Sequence, residues 1–156
     1  MKPLLLLFIV TLGVGCNNKP VREPSNGMAD ARKEILATDA AFSDLSRDKG
    51  MKAAFIEYID SNGVLLRPGS MPIMGANAID YLIQQNDTAY TMEWKPSHAE
   101  VSKSLDMGYS YGIYAIKPSI QDTILYGTYV SIWKKQGDGS WKFVLDSGNE
   151  GIGEIN

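Results

Sequence analysis

Apolar or small side chains recur at a helical period through residues 29–47: Ala31, Ile35, Thr38, Phe42 and Leu45 form one stripe, while Arg32, Lys33, Asp44 and Arg47 lie off it. Such a stripe buries one face against a core, so the segment predicts an amphipathic first helix. Lys49-Gly50 interrupts the pattern, and residues 51–59 read as a short second helix that turns Ala54, Phe55, Tyr58 and Ile59 inward. Residues 63–67 form a strand candidate closed by the turn dipeptide Pro68-Gly69. Helical spacing returns over 76–86 with Ile79, Leu82 and Ile83. Beyond Thr91 the chain reads as strand: 91–95 and 99–104 on either side of Pro96, then 107–117, 124–135 and 141–146. The last two are joined by Gln136-Gly137-Asp138-Gly139-Ser140, a hairpin turn in which Asp-Gly supplies positive φ at little cost. Helices first and antiparallel strands after them, with no repeat or second boundary, predict an α+β domain: N-terminal helices packed on one strongly curved, mainly antiparallel sheet.

The start of the chain follows another logic. Residues 4–10 are an unbroken apolar run behind Lys2, too short to span a bilayer at about 20 residues but matched to the h-region of a signal peptide. The run leads into Leu12-Gly13-Val14-Gly15-Cys16, which resembles a bacterial lipobox, with Gly13 where leucine is commonest. Residues 17–28 (NNKPVREPSNGM) carry prolines and asparagines and almost no large apolar side chain, the pattern of a solvated tether. The expected division is a signal peptide at 1–15, a tether at 16–28 lipidated on Cys16, and a folded domain at 29–156. That places the domain in a bacterial cell envelope, extracytoplasmic and held by its lipid.

Composition narrows the chemistry. A chain of 156 residues that is 44% hydrophobic and 21% charged suits one globular domain. Lys and Arg number 15 against 18 Asp and Glu, a net charge of -3, so the basic excess needed to bind a phosphate backbone is missing and nucleic acid is not an expected partner. An acidic body also gains nothing from an anionic bilayer surface, which leaves the lipid as the membrane contact. One cysteine and one histidine exclude Cys/His zinc sites, CxxC redox motifs and internal disulfides, and the Asp146-x-x-Asn149-Glu150 spacing does not match a calcium loop. Neither metal nor cofactor is expected.

Carboxylates, tyrosines and tryptophans remain. Asp39 sits at the margin of the first helix's stripe. Buried among apolar groups it would be a base or neutral donor with a raised pKa; the structural alternative is an acid salt-bridged to an arginine or bonded to a nearby tyrosine, and pairing with Arg67 or another cation, with a depressed pKa, is the expectation. Arg67, at the end of a strand, suits either a ligand acceptor or an ion pair with Asp39 or Asp146. Alternation sends Tyr109 and Tyr111 to one face of the sheet. Tyr111 and Tyr129 are candidate hydroxyl donors in a cavity, and Trp94 a candidate apolar wall, each set against ordinary sheet packing. Asp146, with Ser147, Asn149 and Glu150, is read as ending the last strand in a polar cluster, where it is the second candidate base.

The motifs Asp39-x-x-Phe42, Gly50-x-x-x-Ala54-Phe55-x-x-Tyr58, Leu66-Arg67-Pro68-Gly69, Pro72-x-x-Gly75-x-x-x-Ile79, Gly108-Tyr109-x-Tyr111-Gly112, Trp133-Lys134-Lys135 and Gly139-x-Trp141-Lys142-Phe143 resemble the ketosteroid-isomerase-like, nuclear-transport-factor-2-like superfamily, in particular its SnoaL-like branch of small bacterial proteins. The resemblance implies a cone in which helices cover the concave face of a bent sheet, a pocket opens at the wide end, and two copies pair through the sheet. The expected occupant is a small, largely apolar ligand, with Asp39, Arg67, Trp94, Tyr111, Tyr129 and Asp146 as candidate contacts on their own chemistry and no family catalytic role carried over to any of them. Relatives span isomerases, cyclases, dehydratases and non-catalytic members, so three functions stay open: ligand binding, proton transfer or dehydration with an Asp base, and a dimeric interaction module with a vestigial pocket.

Overall fold

The computed structural model describes residues 24–152; Cys16 and the proposed signal peptide lie outside them. Helix α1 runs Pro24–Lys49. Proline is well placed in a first turn, where its missing N–H would have had no partner. The helix therefore starts ahead of Ala29, and the end of the segment read as tether belongs to it: Gly27 is buried and Met28 packs against the core. Helix α2 follows at Met51–Tyr58. The Lys52 backbone N–H at its start donates to Asp87 Oδ2 at 2.8 Å, a cap supplied from a distant loop.

Strands β1 (Ile59–Leu66) and β2 (Ile73–Met74), helix α3 (Ala76–Gln84), and strands β3 (Tyr90–Val101), β4 (Met107–Pro118), β5 (Leu125–Lys135) and β6 (Trp141–Glu150) complete the order. The six strands form one sheet, β2-β1-β6-β5-β4-β3, antiparallel except for β1 beside β6. The α+β architecture expected from the sequence is the one adopted. Register slips between Pro96 and His98 in β3, between Ile59 and Val64 in β1, and between Ile132 and Trp133 in β5. Each slip adds local twist and helps the sheet curl around the helices.

Three strand boundaries differ from expectation. Pro96 does not split β3; it sits at a bulge on an edge strand, where its missing N–H breaks no ladder. β1 begins directly at Ile59, where α2 ends. β6 continues to Glu150, so Asp146 stands mid-strand rather than at a strand end.

Phe42 on α1 is the hub of the core. Its ring meets Phe55 at 4.8 Å, Trp94 at 4.5 Å and Phe143 at 5.6 Å between centroids, tying two helices to both halves of the sheet. Truncating such a ring costs about 3–5 kcal/mol. The same helix covers the free edge of β3: Ser43 Oγ accepts the Trp94 backbone N–H and donates to the Trp94 carbonyl, both at 2.7 Å, and Ser46 Oγ donates to the Met92 carbonyl at 2.7 Å.

Candidate functional site

Between the helices and the inner face of the sheet lies a cavity of about 150 Å³. Phe42 and Phe55 from the helices, with Met92, Trp94 and Ile116 from the sheet, give it apolar walls. Arg67, Ser131 and Asp146 make a polar patch, and Tyr114 and Tyr129 complete the lining. Two glycines make room for those tyrosines. In the β4–β5 ladder Tyr114 faces Gly127 and Tyr129 faces Gly112. A Cβ at Gly127 would collide with the Tyr114 ring, and one at Gly112 with the Tyr129 ring and the Lys95 carbonyl. Glycine at these positions lets each ring lie flat across the neighbouring strand.

The polar groups come in two buried sets. Ser110 on β4, Ser131 on β5 and Asp146 on β6 are successive partners across the sheet. Asp146 Oδ1 lies 2.8 Å from Arg67 Nη2, and Oδ2 accepts from Ser131 Oγ at 2.8 Å. Arg67 is fixed further by donating to the Leu66 and Asp146 carbonyls at 3.1 and 3.3 Å, with its guanidinium 5.4 Å from the centre of the Phe55 ring.

The second set centres on Asp39, which is fully buried. Its Oδ1 accepts from Trp94 Nε1 at 2.7 Å and its Oδ2 from the Tyr129 hydroxyl at 2.8 Å. The Ser110 hydroxyl is near enough to help stabilise the carboxylate, and its own oxygen accepts from Trp133 Nε1 at 2.7 Å. Burial raises the Asp39 pKa, and the donors Ser110, Tyr129 and Trp94 counter it without reversing it. The Tyr129 hydroxyl is driven far up as well, first by burial and then by the neighbouring Asp39. These directions correct the expectation for Asp39: its partners are uncharged donors, Arg67 pairs with Asp146 instead, and its pKa moves up rather than down.

Arg67, Trp94, Tyr129 and Asp146 thus converge on the cavity, and Asp39 stands behind the wall that Trp94 and Tyr129 make. Tyr111 does not join them. It is 46% exposed on the outer face of β4, its ring 5.9 Å from that of His98, because the inner-facing parity of β4 belongs to Ser110, Gly112 and Tyr114. The inner-face serines Ser110 and Ser131, the methionine walls and the pairing of Gly112 and Gly127 with tyrosines were not singled out from the sequence. A glycine in an otherwise β-branched and aromatic strand was the available signal.

The architecture can now be set beside known proteins. A nuclear-transport-factor-2-like protein from Novosphingobium aromaticivorans, described as having a cystatin-like fold, superposes with a TM-score of 0.64 at 17% identity, covering 81% of this chain and 85% of that one. The chain has the nuclear-transport-factor-2-like fold. A ketosteroid isomerase-like protein from Erwinia carotovora atroseptica (TM-score 0.59, 14% identity, 77% of this chain and 95% of that) shares this fold. So does a nuclear-transport-factor-2-like superfamily protein from Salmonella enterica serovar Typhimurium (0.62, 13%, 82% and 99%). No protein-family model matches the sequence, and no curated protein does. At these identities the nuclear-transport-factor-2-like likeness speaks for the fold, and the site must speak for itself.

Proposed function

We propose that the domain binds a small, largely apolar molecule in this cavity and holds it without converting it. The observation that carries the reading is the contrast between apolar walls open to a ligand and acids already engaged. Asp39 accepts from Trp94 and Tyr129 behind the wall, and both oxygens of Asp146 have partners within the protein. A proton-abstracting base has to reach the ligand, and Asp39 does not line the cavity while Asp146 meets it with its charge already matched by Arg67. Toluene, titrated while the Trp94 indole N–H is followed by NMR, should shift that resonance saturably, and filling the cavity with Ile116→Trp should abolish the shift. An indifferent Trp94 signal in the wild type would defeat the reading.

One observation favours proton transfer or dehydration as a second reading: a buried acid of raised pKa hydrogen-bonded to a cavity-lining tyrosine. On that reading Asp39→Asn removes turnover and leaves binding intact.

The proposal includes an envelope location through lipid on Cys16, supported by the lipobox-like residues 12–16. Among the described residues no helix is long and apolar enough to cross a membrane. Cys16→Ser should move the protein from the membrane to the soluble fraction, and continued sedimentation with membranes would count against the anchor. It includes pairing of two copies through the outer face of the sheet, supported by Tyr109, Tyr111 and Ile113 standing exposed side by side on β4.

A further inference from the structure

We infer that the cavity selects neutral molecules of single-ring size over ionised molecules of the same shape. The inference rests on the binding reading and adds the chemical class of the ligand. Size sets the first limit. A cavity of about 150 Å³ matches an apolar core cavity that holds one benzene, and falls below the roughly 300–1,000 Å³ of sites for drug-sized ligands. A fused polycyclic or long-chain ligand would have to extend beyond this volume through the mouth of the cavity.

Charge sets the second limit. Among the described residues Arg67 is the one cation lining the cavity, and Asp146 neutralises it at 2.8 Å; their side chains are only 20% and 8% exposed. Asp39, ionised or protonated, adds no positive charge, and the lining phenols Tyr114 and Tyr129 have their pKa values raised. An anion entering here would lose its hydration and meet a cation that already has a carboxylate partner. A cation would lose its hydration and meet a carboxylate, Asp146, that already has Arg67 as its partner. A neutral ligand escapes both costs and keeps one attraction. The guanidinium N–H groups not donating to Leu66, Asp146 or its carboxylate have no partner among the described residues, and they can donate to a hydroxyl or carbonyl oxygen. The ligand's ring would lie among Phe42, Phe55 and Trp94.

Benzyl alcohol, benzoate and benzylammonium share one shape and differ in charge, so titrating the full chain with each at pH 7, with the Trp94 indole N–H as reporter, tests the inference. Benzyl alcohol should bind at least about tenfold tighter than either ion. Equal or tighter binding of benzoate or benzylammonium would overturn the charge selection while leaving the binding reading standing. Silence from all three would overturn the binding reading and the inference with it. Asp146→Asn, which frees Arg67 without changing shape, should improve benzoate relative to benzyl alcohol by about tenfold; an unchanged ratio would remove the ion pair as the cause. Should that variant fail to fold, Arg67→Met serves instead: it should weaken benzyl alcohol severalfold and leave its ratio to benzoate no lower, and unaltered benzyl alcohol binding would exclude Arg67 as the donor.

Discussion

Two aspartates serve the same cavity from two neighbourhoods. Asp146 lies on the sheet and faces a guanidinium; Asp39 lies on a helix and faces an indole, a phenol and a serine hydroxyl. Each has both oxygens occupied and each has a strand serine beside it. The ion pair fixes the polar patch of the cavity. The neutral cluster fixes the rings beside it, because one carboxyl group holds Trp94 and Tyr129 at once. What separates the two is whether a partner carries charge, and that decides how each responds to mutation.

The contrast can be broken most forcefully at the charged end. Asp146→Ala strands a mostly buried Arg67 and should cost about 3 kcal/mol in urea unfolding at pH 7. The double variant Arg67→Met, Asp146→Leu should recover a large part of that loss, since apolar packing replaces the pair; a double variant as unstable as the sum of its singles would mean the pair is not coupled.

Asp39→Asn should cost about 1–2 kcal/mol at acidic pH, where the lost acceptor is the main effect. The pH dependence has a definite sign. The native state holds the Asp39 proton more tightly than the unfolded chain, so native stability falls as pH rises from the unfolded value near 3.8 to the raised native value, and levels off above it. The stability gap between wild type and Asp39→Asn should therefore narrow across that window. A gap that widened on raising the pH would mean that Asp39 is paired with a cation after all.

Tyr129→Phe should cost about 1 kcal/mol and push the Asp39 carboxyl further up by removing one of its donors, which carboxyl NMR titration would read. The smallest effect belongs to the opposite face. Tyr111→Ser should change monomer stability by no more than about 0.5 kcal/mol, yet by the proposed pairing it should shift sedimentation from dimer to monomer.

Local patterns were legible and long-range partners were not. The stripe through Ile35 and Phe42 marks α1, and Asp138-Gly139 marks the β5–β6 hairpin, because both depend on neighbours a few residues apart. Nothing local announces that β1 runs parallel to β6, or that the two-residue β2 pairs with β1. The site divides the same way. Helical spacing puts Asp39 beside the buried stripe, but its partners come from β3, β4 and β5 and depend on how the sheet curls over the helix. Two partners were conceivable for Arg67, and the register of β1 against β6, with Leu65 beside Asp146, selects one. Alternation groups Tyr109 with Tyr111 but cannot say which side of the sheet is inside. The buried Ser110 and the glycine opposite Tyr129 decide that once strand pairing is known.

The serines that α1 lends to β3 bear on how copies of this protein can meet. A sheet with a bare edge can recruit a strand from another chain and lengthen without limit. Here Ser43 and Ser46 occupy main-chain groups of Trp94 and Met92 on one margin, and the other margin is the two-residue β2, too short to template a partner. Along those stretches the main-chain groups are closed to an added strand. In the proposed pairing through the flat of the sheet, the contact would close on itself after two copies and give a finite particle instead of a fibre.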